Sequence, residues 1–542
     1  MKYIVLSLAF LLCVQGVGAK KRTKPQPKLV VGIVVDQMRW DFLYRYADRY
    51  SDGGFKRLMN DGFQCRQAMV NYIPTFTAPG HACAYTGSVP SVHGIAANDW
   101  VDTKREKQVY CTEDKTVSPV GGSYKAGMNS PRNLLTTTVG DELKLATNMR
   151  AKVFGIAIKD RGAILPAGHT ANGAYWFDDS TGNFISSSFY APQLPAWLSR
   201  FNNKRYADSL ISTEWKTMYA PETYTQSLAD DNKYEGKLKG EKASVFPHNT
   251  NTEKVKGYSL LRYLPGGNTI IFKAAKACIR GEALGQDDVT DMLAISLSTP
   301  DYIGHLFSPN AIETEDMYRR LDAEIASFLN YLDKQVGKGN YSVFLTADHG
   351  AAHNSNYLKD LKIPSGNKAE HEALAELNAY VKKETGKDSM VFDLSNYQVY
   401  LNENKIDKDD ADREDVKDAV IDWFKKQDGI QYVVDMEDMD DMVLPEPLKT
   451  MVINGYHHKR SGCIQVITEP GWYSGYGPTG TTHGTWNPYD THIPLLFYGA
   501  GIRKGESNKT VHMTDIAPTI SSLLNIQMPN GCIGEVIEEV LR

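Results

Sequence analysis

Continuous apolar runs that stop abruptly at charged side chains recur along this chain and constrain its fold more than any other feature. The first run, Leu29–Val35, contains no polar side chain and ends at Asp36. Runs without polar alternation are typical of strands that are buried on both faces of a sheet. Comparable apolar runs occupy residues 153–158, 292–297, 343–345 and 493–498. Charged and imidazole groups therefore collect close to predicted strand ends.

Helical patterns separate these runs. Residues 315–336 carry apolar side chains at helical spacing, and residues 514–524 open with a residue type that caps helices. Strands that alternate with helices predict an α/β fold, with a largely parallel central sheet and helices on both faces. Ligands of such sheets bind beyond the carboxyl ends of the strands, so we expect the active site there.

The N-terminal residues predict export. Residues 1–19 combine a short basic start, an apolar run at 3–17 and a small-residue cleavage signal at 17–19, as in a signal peptide. The run is too short for a comfortable membrane span, which takes about 20 residues. We therefore expect a periplasmic or secreted protein that has no stable membrane insertion after cleavage.

A single catalytic domain is predicted over residues 29–542, after a basic lead-in at 20–28. Two stretches without clean periodicity, near 184–288 and 352–441, are interpreted as insertions that either border the site or decorate the surface. We expect a monomer. The cysteines that remain after the signal peptide permit up to three disulfides in an exported protein, with the pairing left open. They are Cys65, Cys83, Cys111, Cys278, Cys463 and Cys532.

Net charge limits the choice of partners. The formal charge of −5 provides no bulk electrostatic attraction for nucleic acid, which we do not expect as a specific partner. An anionic substrate would have to be attracted by local positive charge.

Three aspartates and three histidines are candidate metal ligands. They are Asp36, Asp301, His305, Asp348, His349 and His483. Each alone is weak evidence, because a single aspartate after a strand is more often a turn or cap residue. Together they offer the carboxylate oxygen and imidazole nitrogen that zinc prefers, although these ligand types also allow manganese or iron. Two such ions would provide the local positive charge.

Residues 74–81, with the sequence PTFTAPGH, contain a candidate nucleophile, Thr77. A proline just inside a helix start favours backbone N–H groups and a positive helix end that face an anion at this point. A nearby metal ion can activate the threonine hydroxyl. The alternative is that Thr77 only caps the helix.

The ordered set of these residues resembles the alkaline phosphatase superfamily across nearly the whole chain after the signal peptide. The resemblance implies two zinc ions per chain, with Thr77 placed between the ions and the substrate. One ion would be held by Asp301, His305 and His483. The other would be held by Asp36, Asp348 and His349.

The pattern Thr77-x-Pro79-x-His81 limits the branches of the superfamily that this chain resembles. Sulfatases carry Cys or Ser followed by x-Pro-x-Arg, so this chain does not resemble them. The pattern is shared by nucleotide pyrophosphatase/phosphodiesterases and by PafA-like alkaline phosphatases. Asn98 resembles an asparagine that both branches place on a phosphate oxygen.

Lys159 and Arg161 distinguish the two branches, because they resemble the Lys-x-Arg pair that PafA-like monoesterases direct at the phosphoryl oxygens. Two fixed cations favour a monoester dianion over a diester. The structural alternative is a surface ion pair around Asp160. We therefore expect an alkaline phosphatase that hydrolyses small phosphate monoesters through a phosphothreonine intermediate and releases inorganic phosphate. The alternatives are a phosphodiesterase of the same superfamily and an inactive phosphate-ester-binding relative.

Overall fold

The computed structural model describes residues 26–102, 104–212, 214–249, 257–439, 442–475 and 477–542. The expected signal peptide lies outside these residues, as does most of the lead-in. In the described part of the chain, no helix has both the length and the apolar character needed to cross a membrane.

An eleven-stranded sheet forms the centre of the described chain. Its strands are β1 Leu29–Val35, β2 Phe63–Met69, β3 Pro119–Val120, β4 Val153–Ala157, β5 Gly173–Asp178, β6 Asn183–Ser187, β7 Asp291–Leu297, β8 Tyr341–Thr346, β9 His492–Ile493, β10 Leu495–Gly499 and β11 Gly505–His512. Their order across the sheet is β9-β2-β10-β8-β1-β7-β4-β5-β6-β3, and β11 pairs with β2.

The middle of this sheet is parallel. Strands β8, β1, β7, β4 and β5 all run in one direction, and Val31 pairs with Val343 on one side and with Leu293 on the other. Every residue of these five strands is buried, which explains why their sequences are largely apolar. Strand β10 is antiparallel to β8, and β6 is antiparallel to β5.

Helices cover the central sheet and also build a second, smaller unit. Those of eight or more residues are α1 Thr77–Thr86, α2 Val139–Ala146, α3 Asp160–Ala167, α4 Gly266–Gly281, α5 Thr299–Phe307, α6 Ile312–Leu332, α7 Glu370–Thr385, α8 Arg413–Lys425, α9 Leu448–Gly455 and α10 Ile516–Leu524. The predicted helices at 315–336 and 514–524 correspond to α6 and α10.

Only part of the predicted first insertion lies outside the main fold. Its first residues belong to β6, and near its end α4 packs against β7. Between them lie short helices, including Ala196–Asn202 and Tyr206–Ile211, joined by irregular segments.

The second predicted insertion has a hydrophobic core of its own. This core is built by α7, α8 and a four-stranded sheet, and it buries Leu377, Val420 and Ile464. The sheet has the order Val391–Ser395, Gln398–Leu401, Ile464–Thr468, Ile430–Asp435. One of its strands comes after residue 441, so this unit extends beyond the predicted boundary.

All six cysteines of the described chain are free thiols, and five of them are buried. None of the disulfides that the even count permits is present among the described residues.

Candidate active site

Four neighbouring strand ends bring the principal charged groups together. Asp36 follows β1 directly, Asp348 lies two residues after β8, Lys159 lies two residues after β4, and Asp301 stands in the first turn of α5, which follows β7. Because β8, β1, β7 and β4 are adjacent and parallel, their carboxyl ends meet at one edge. All four side chains are buried.

Thr77 is the first residue of α1 and is 1% exposed. The preceding residue, Phe76, has an extended backbone, so the chain turns into the helix at Thr77. The N–H of Ala78 donates to Asn98 Oδ1 at 2.9 Å, which places Asn98 beside the positive helix end. Thr77 and Asn98, which are 21 positions apart in sequence, therefore share one site.

Gly80 allows α1 to lie against the end of β8. A Cβ at this position would be 2.6 Å from the Cβ of Asp348 and 2.7 Å from its carbonyl oxygen. Since contacts under 3 Å require the backbone to shift, only glycine permits this approach. The motif around Thr77 thus positions both the candidate nucleophile and a candidate metal ligand.

The ligand atoms of the candidate residues converge in two groups. Those of Asp36, Asp348 and His349 lie within 4.8 Å of one another, as do those of Asp301, His349 and His483. The first group is the set that the superfamily resemblance implies. In the second group His349 stands where His305 was expected, although His305 Nε2 is 3.0 Å from Asp301 Oδ1.

Backbone hydrogen bonds orient all three candidate histidines in the same way. The Nδ1 atoms of His305, His349 and His483 lie 2.7–2.9 Å from carbonyl oxygens of the backbone. Since a carbonyl only accepts, each Nδ1 donates, and each Nε2 in the neutral ring keeps its lone pair. These Nε2 atoms face the aspartates, with His349 Nε2 3.6 Å from Asp36 Oδ1.

The arrangement leaves acceptors without donors. Asp36 Oδ1, Asp348 Oδ2 and His349 Nε2 are buried and have no hydrogen-bond partner among the described residues. Buried lone pairs that face one another are costly unless a cation lies between them. The donor set therefore fits metal ions.

Burial controls the protonation of these groups. Burial lowers the pKa of His349 and of His483, which keeps both imidazoles in the neutral form that binds metals. Burial also raises the pKa of Asp36, and the neighbouring charges of Asp301 and Asp348 add to this effect. Like charges this close indicate a site that is built around cations.

In this structure the cation among these carboxylates is Lys159. Its Nζ lies 2.6 Å from Asp36 Oδ2 and 2.5 Å from Asp301 Oδ2. Burial opposes the charged form, but the charges of Asp301 and Asp36 outweigh it and hold the pKa of Lys159 above its ordinary value. The ammonium group thus bridges the two ligand groups.

Comparisons with known proteins identify the family of this chain. A family model described as type I phosphodiesterase / nucleotide pyrophosphatase matches residues 30–491. The alkaline phosphatase PafA of Elizabethkingia meningoseptica is 49% identical over 98% of both chains. This chain belongs to the PafA-like alkaline phosphatases. It is therefore a phosphatase, a hydrolase, as the sequence predicted.

Another relative and a solved structure support the same family and fold for this PafA-like phosphatase. The alkaline phosphatase PhoV of Synechococcus elongatus is 48% identical over 100% of both chains. The crystal structure of PafA covers 96% of this chain and 100% of its own, with a TM-score of 0.94. The predicted α/β fold of the alkaline phosphatase type is thereby confirmed.

Arg161 of this PafA-like phosphatase is held by a residue that sequence reasoning missed. Its Nη1 donates to the hydroxyl of Tyr110 at 3.1 Å, and that hydroxyl donates to Asp160. Asp160 accepts the backbone N–H of Arg161, and its carboxylate forms no ion pair with the guanidinium. Arg161 Nε is buried without a partner among the described residues, so the alternative of a surface ion pair does not describe this residue.

Two supporting residues also escaped prediction as site residues. Gln37 donates its backbone N–H to Asp348 Oδ1 at 3.1 Å and its Nε2 to Asp301 Oδ1 at 2.7 Å. His81 Nδ1 lies 2.8 Å from the carbonyl oxygen of Thr77 and 3.2 Å from Asp348 Oδ2. The available signals were the position of Gln37 directly after a strand-end aspartate and the four-residue spacing from Thr77 to His81.

Proposed function

We propose that this alkaline phosphatase hydrolyses phosphate monoesters through a phosphothreonine on Thr77, with two zinc ions per chain. The observation that carries the proposal is the position of Thr77. Its hydroxyl lies at the N-terminus of α1, 3.3 Å from Lys159 Nζ, and the same ammonium contacts one carboxylate of each carboxylate–imidazole group. A nucleophile, a cation and two sets of metal donors thus share one buried site.

The proposed ligands divide between the two ions as the resemblance implies. Asp301, His305 and His483 would hold one ion, and Asp36, Asp348 and His349 the other, with the oxygen of Thr77 in contact. The orphaned acceptors and the Nδ1 hydrogen bonds support this assignment. Bound zinc supplies positive charge that lowers the pKa of a hydroxyl or water and offsets the charge of phosphate.

Two displacements make up the proposed reaction. The Oγ1 of Thr77 gives up its proton and forms a bond to phosphorus, the bond from phosphorus to the alcohol oxygen breaks, and the alcohol departs after taking up a proton. Water then gives up a proton as it forms a bond to the same phosphorus, the Oγ1–P bond breaks, Thr77 regains its hydroxyl proton, and inorganic phosphate leaves. Such transfer depends chiefly on positioning and on stabilisation of charge.

The chain's own residues perform these two tasks. The positive end of α1 points at the transferred group. Asn98 uses its Oδ1 to accept from Ala78, which leaves its amide hydrogens for a phosphoryl oxygen. The hydrogen bond from Arg161 to Tyr110 fixes a guanidinium whose Nε remains available.

Lys159 and Arg161 favour monoesters. A monoester dianion carries one more charged oxygen than a diester, and two buried cations stabilise that extra charge. The second candidate is phosphodiester hydrolysis, which the description of the matching family model favours. An inactive binding role has less support, because the nucleophile and every expected ligand are present.

Export to the periplasm or beyond, by the signal peptide expected at residues 1–19, remains part of the proposal. A monomeric state remains a prediction as well. Small soluble phosphate esters would be the substrates.

The test is turnover by the purified, zinc-loaded protein of a monoester and of a diester that share one leaving group. We expect the monoester kcat/KM to exceed the diester value by several powers of ten and to vanish after metal chelation. A larger kcat/KM for the diester would favour the second candidate.

A further inference from the structure

A cavity of about 340 Å³ opens beside the nucleophile. Phe76, which directly precedes Thr77, lines one side, and Thr482 and His483 line another. The rings of Phe76 and His483 lie 5.4 Å apart, edge to face. Because this lining joins Phe76, the neighbour of Thr77, to His483 of the proposed ligand set, an ester held at Thr77 would reach this cavity with its alcohol part.

Negative charge dominates the lining. Asp99, Glu370 and Asp393 contribute carboxylates, and no lysine or arginine is among the described residues that line the cavity. None of the three carboxylates forms an ion pair within the described chain. Burial raises the pKa of Glu370 to about 7, so this group is ionised in alkaline solution.

Neighbouring groups hold two of these carboxylates in place. Glu370 Oε1 accepts the backbone N–H of Tyr397 at 2.7 Å, and Asp393 Oδ2 accepts the hydroxyl of Ser395 at 2.9 Å. Each carboxylate retains acceptor capacity beyond these bonds. The aromatic side chains of Phe76 and Tyr397 lie in the same lining.

Carboxylates and aromatic faces together recognise ammonium groups, through charge and through the π-electrons of the rings. The same surface repels anions. An alcohol that carries a carboxylate or a second phosphate would place its charge against three unpaired carboxylates.

We propose that this cavity receives the leaving group and selects phosphate monoesters of amino alcohols, whose ammonium group it binds, over esters with anionic leaving groups. This inference rests on the proposed function, because it assumes that a monoester is cleaved at Thr77.

The test compares three substrates: 2-aminoethyl phosphate, ethyl phosphate and phosphoglycolate. The kcat/KM of each is measured in the parent and in the double variant Glu370→Gln, Asp393→Asn. Asp99 is left unchanged because the charge of Arg161 acts on it. The matched control is Glu372→Gln, which removes one charge from an exposed position of α7, the helix that begins at Glu370.

In the double variant we expect the ratio of kcat/KM for 2-aminoethyl phosphate to kcat/KM for ethyl phosphate to fall about tenfold. This estimate assigns roughly threefold to each of the two partly exposed charges that are removed. The ethyl value should stay within about twofold of the parent, and the phosphoglycolate value should rise. Taking the ratio within each protein cancels the intrinsic reactivity of the esters. The control should leave all three values unchanged.

An unchanged ratio in an active enzyme would overturn the inference, as would an equal fall for the aminoethyl and ethyl esters. The single variant Asp393→Asn provides the same ratio if the double variant does not fold. Absence of turnover of every monoester by the parent would instead contradict the proposed function and remove this inference with it.

Discussion

The ammonium of Lys159 lies 3.3 Å from the hydroxyl oxygen of Thr77 while it bridges the carboxylates of Asp36 and Asp301. One cation thus contacts the proposed nucleophile and a member of each proposed ligand set. The two proposed ligand sets, the proposed nucleophile and Lys159 are parts of one buried charge network, and the variants below test their proposed roles separately.

Removing the cation pair should discriminate between the two ester classes. We expect the double variant Lys159→Ala, Arg161→Ala to lose about 3 to 6 kcal/mol of transition-state stabilisation for a monoester, or two to four powers of ten in kcat/KM. A diester should lose less, because it lacks the extra charged oxygen. The measurement is the ratio of the two kcat/KM values in parent and variant, with the metal content of each determined.

The matched control is Lys204→Ala, Arg205→Ala, which removes two adjacent cations from an exposed position. It should leave both rates unchanged. An equal fall for both ester classes in the site variant would mean that the pair serves structure or general anion binding.

Loss of one metal ligand should lower the metal content. We expect His483→Ala and Asp348→Ala each to hold fewer than two zinc ions per chain, because a three-ligand site rarely retains its ion without one ligand. Elemental analysis after dialysis measures the stoichiometry. His458→Ala, at an exposed histidine, is the control. Two tightly held ions in both site variants would show that these residues are not ligands.

A buried ion-pair cluster outside the active site makes stability depend on pH. His248 Nδ1 lies 3.1 Å from Glu241 Oε2, and His248 Nε2 lies 3.1 Å from Glu313 Oε1. Burial alone would lower the pKa of His248, but both carboxylates outweigh it and raise the pKa to about 9, above the ordinary 6.5. The stabilisation is therefore complete below pH 6.5 and is lost as the pH rises through 9.

We accordingly expect His248→Gln to lower the free energy of unfolding by about 3 to 5 kcal/mol at pH 6, where it leaves buried carboxylates unpaired. The difference from the parent should shrink by pH 10, where the parent histidine is neutral as well. Urea denaturation of parent and variant at both pH values measures the difference in the free energy of unfolding. A difference that does not change with pH would contradict the assignment of a charged His248.

The sequence predicts four of the five central parallel strands and misses β5, because burial on both faces leaves a largely apolar pattern in those four. The apolar run at 29–35 coincides with β1 and gives the strand-end position of Asp36, and the run at 343–345 lies in β8 and gives that of Asp348. Strand β2 left no such pattern, because it includes partly exposed polar residues such as Arg66 and Gln67. Its pairing is set by contacts with β10 and β11, which are more than 400 residues away in sequence.

The sequence predicts which types of residue the candidate site contains, but it does not predict most of the contacts between them. The contact between Arg161 and Tyr110 joins residues 51 positions apart, for which no local pattern exists. The role of Gln37 depends on a backbone φ of 65°, which places its N–H and side chain toward two different aspartates. Such arrangements follow from tertiary packing and leave no periodic signal in the sequence.

Covalent phosphate on Thr77 tests the central claim most directly. The zinc-loaded parent is mixed with a monoester and quenched in acid, and the peptide that spans residues 74–81 is then analysed by mass spectrometry. The same experiment on Thr77→Ala, with metal content and fold checked, is the control. We predict one phosphoryl group on Thr77 in the parent, none in the variant, and loss of most turnover with both metals retained. Near-parent turnover by Thr77→Ala, or a phosphoryl group on another residue, would contradict the account.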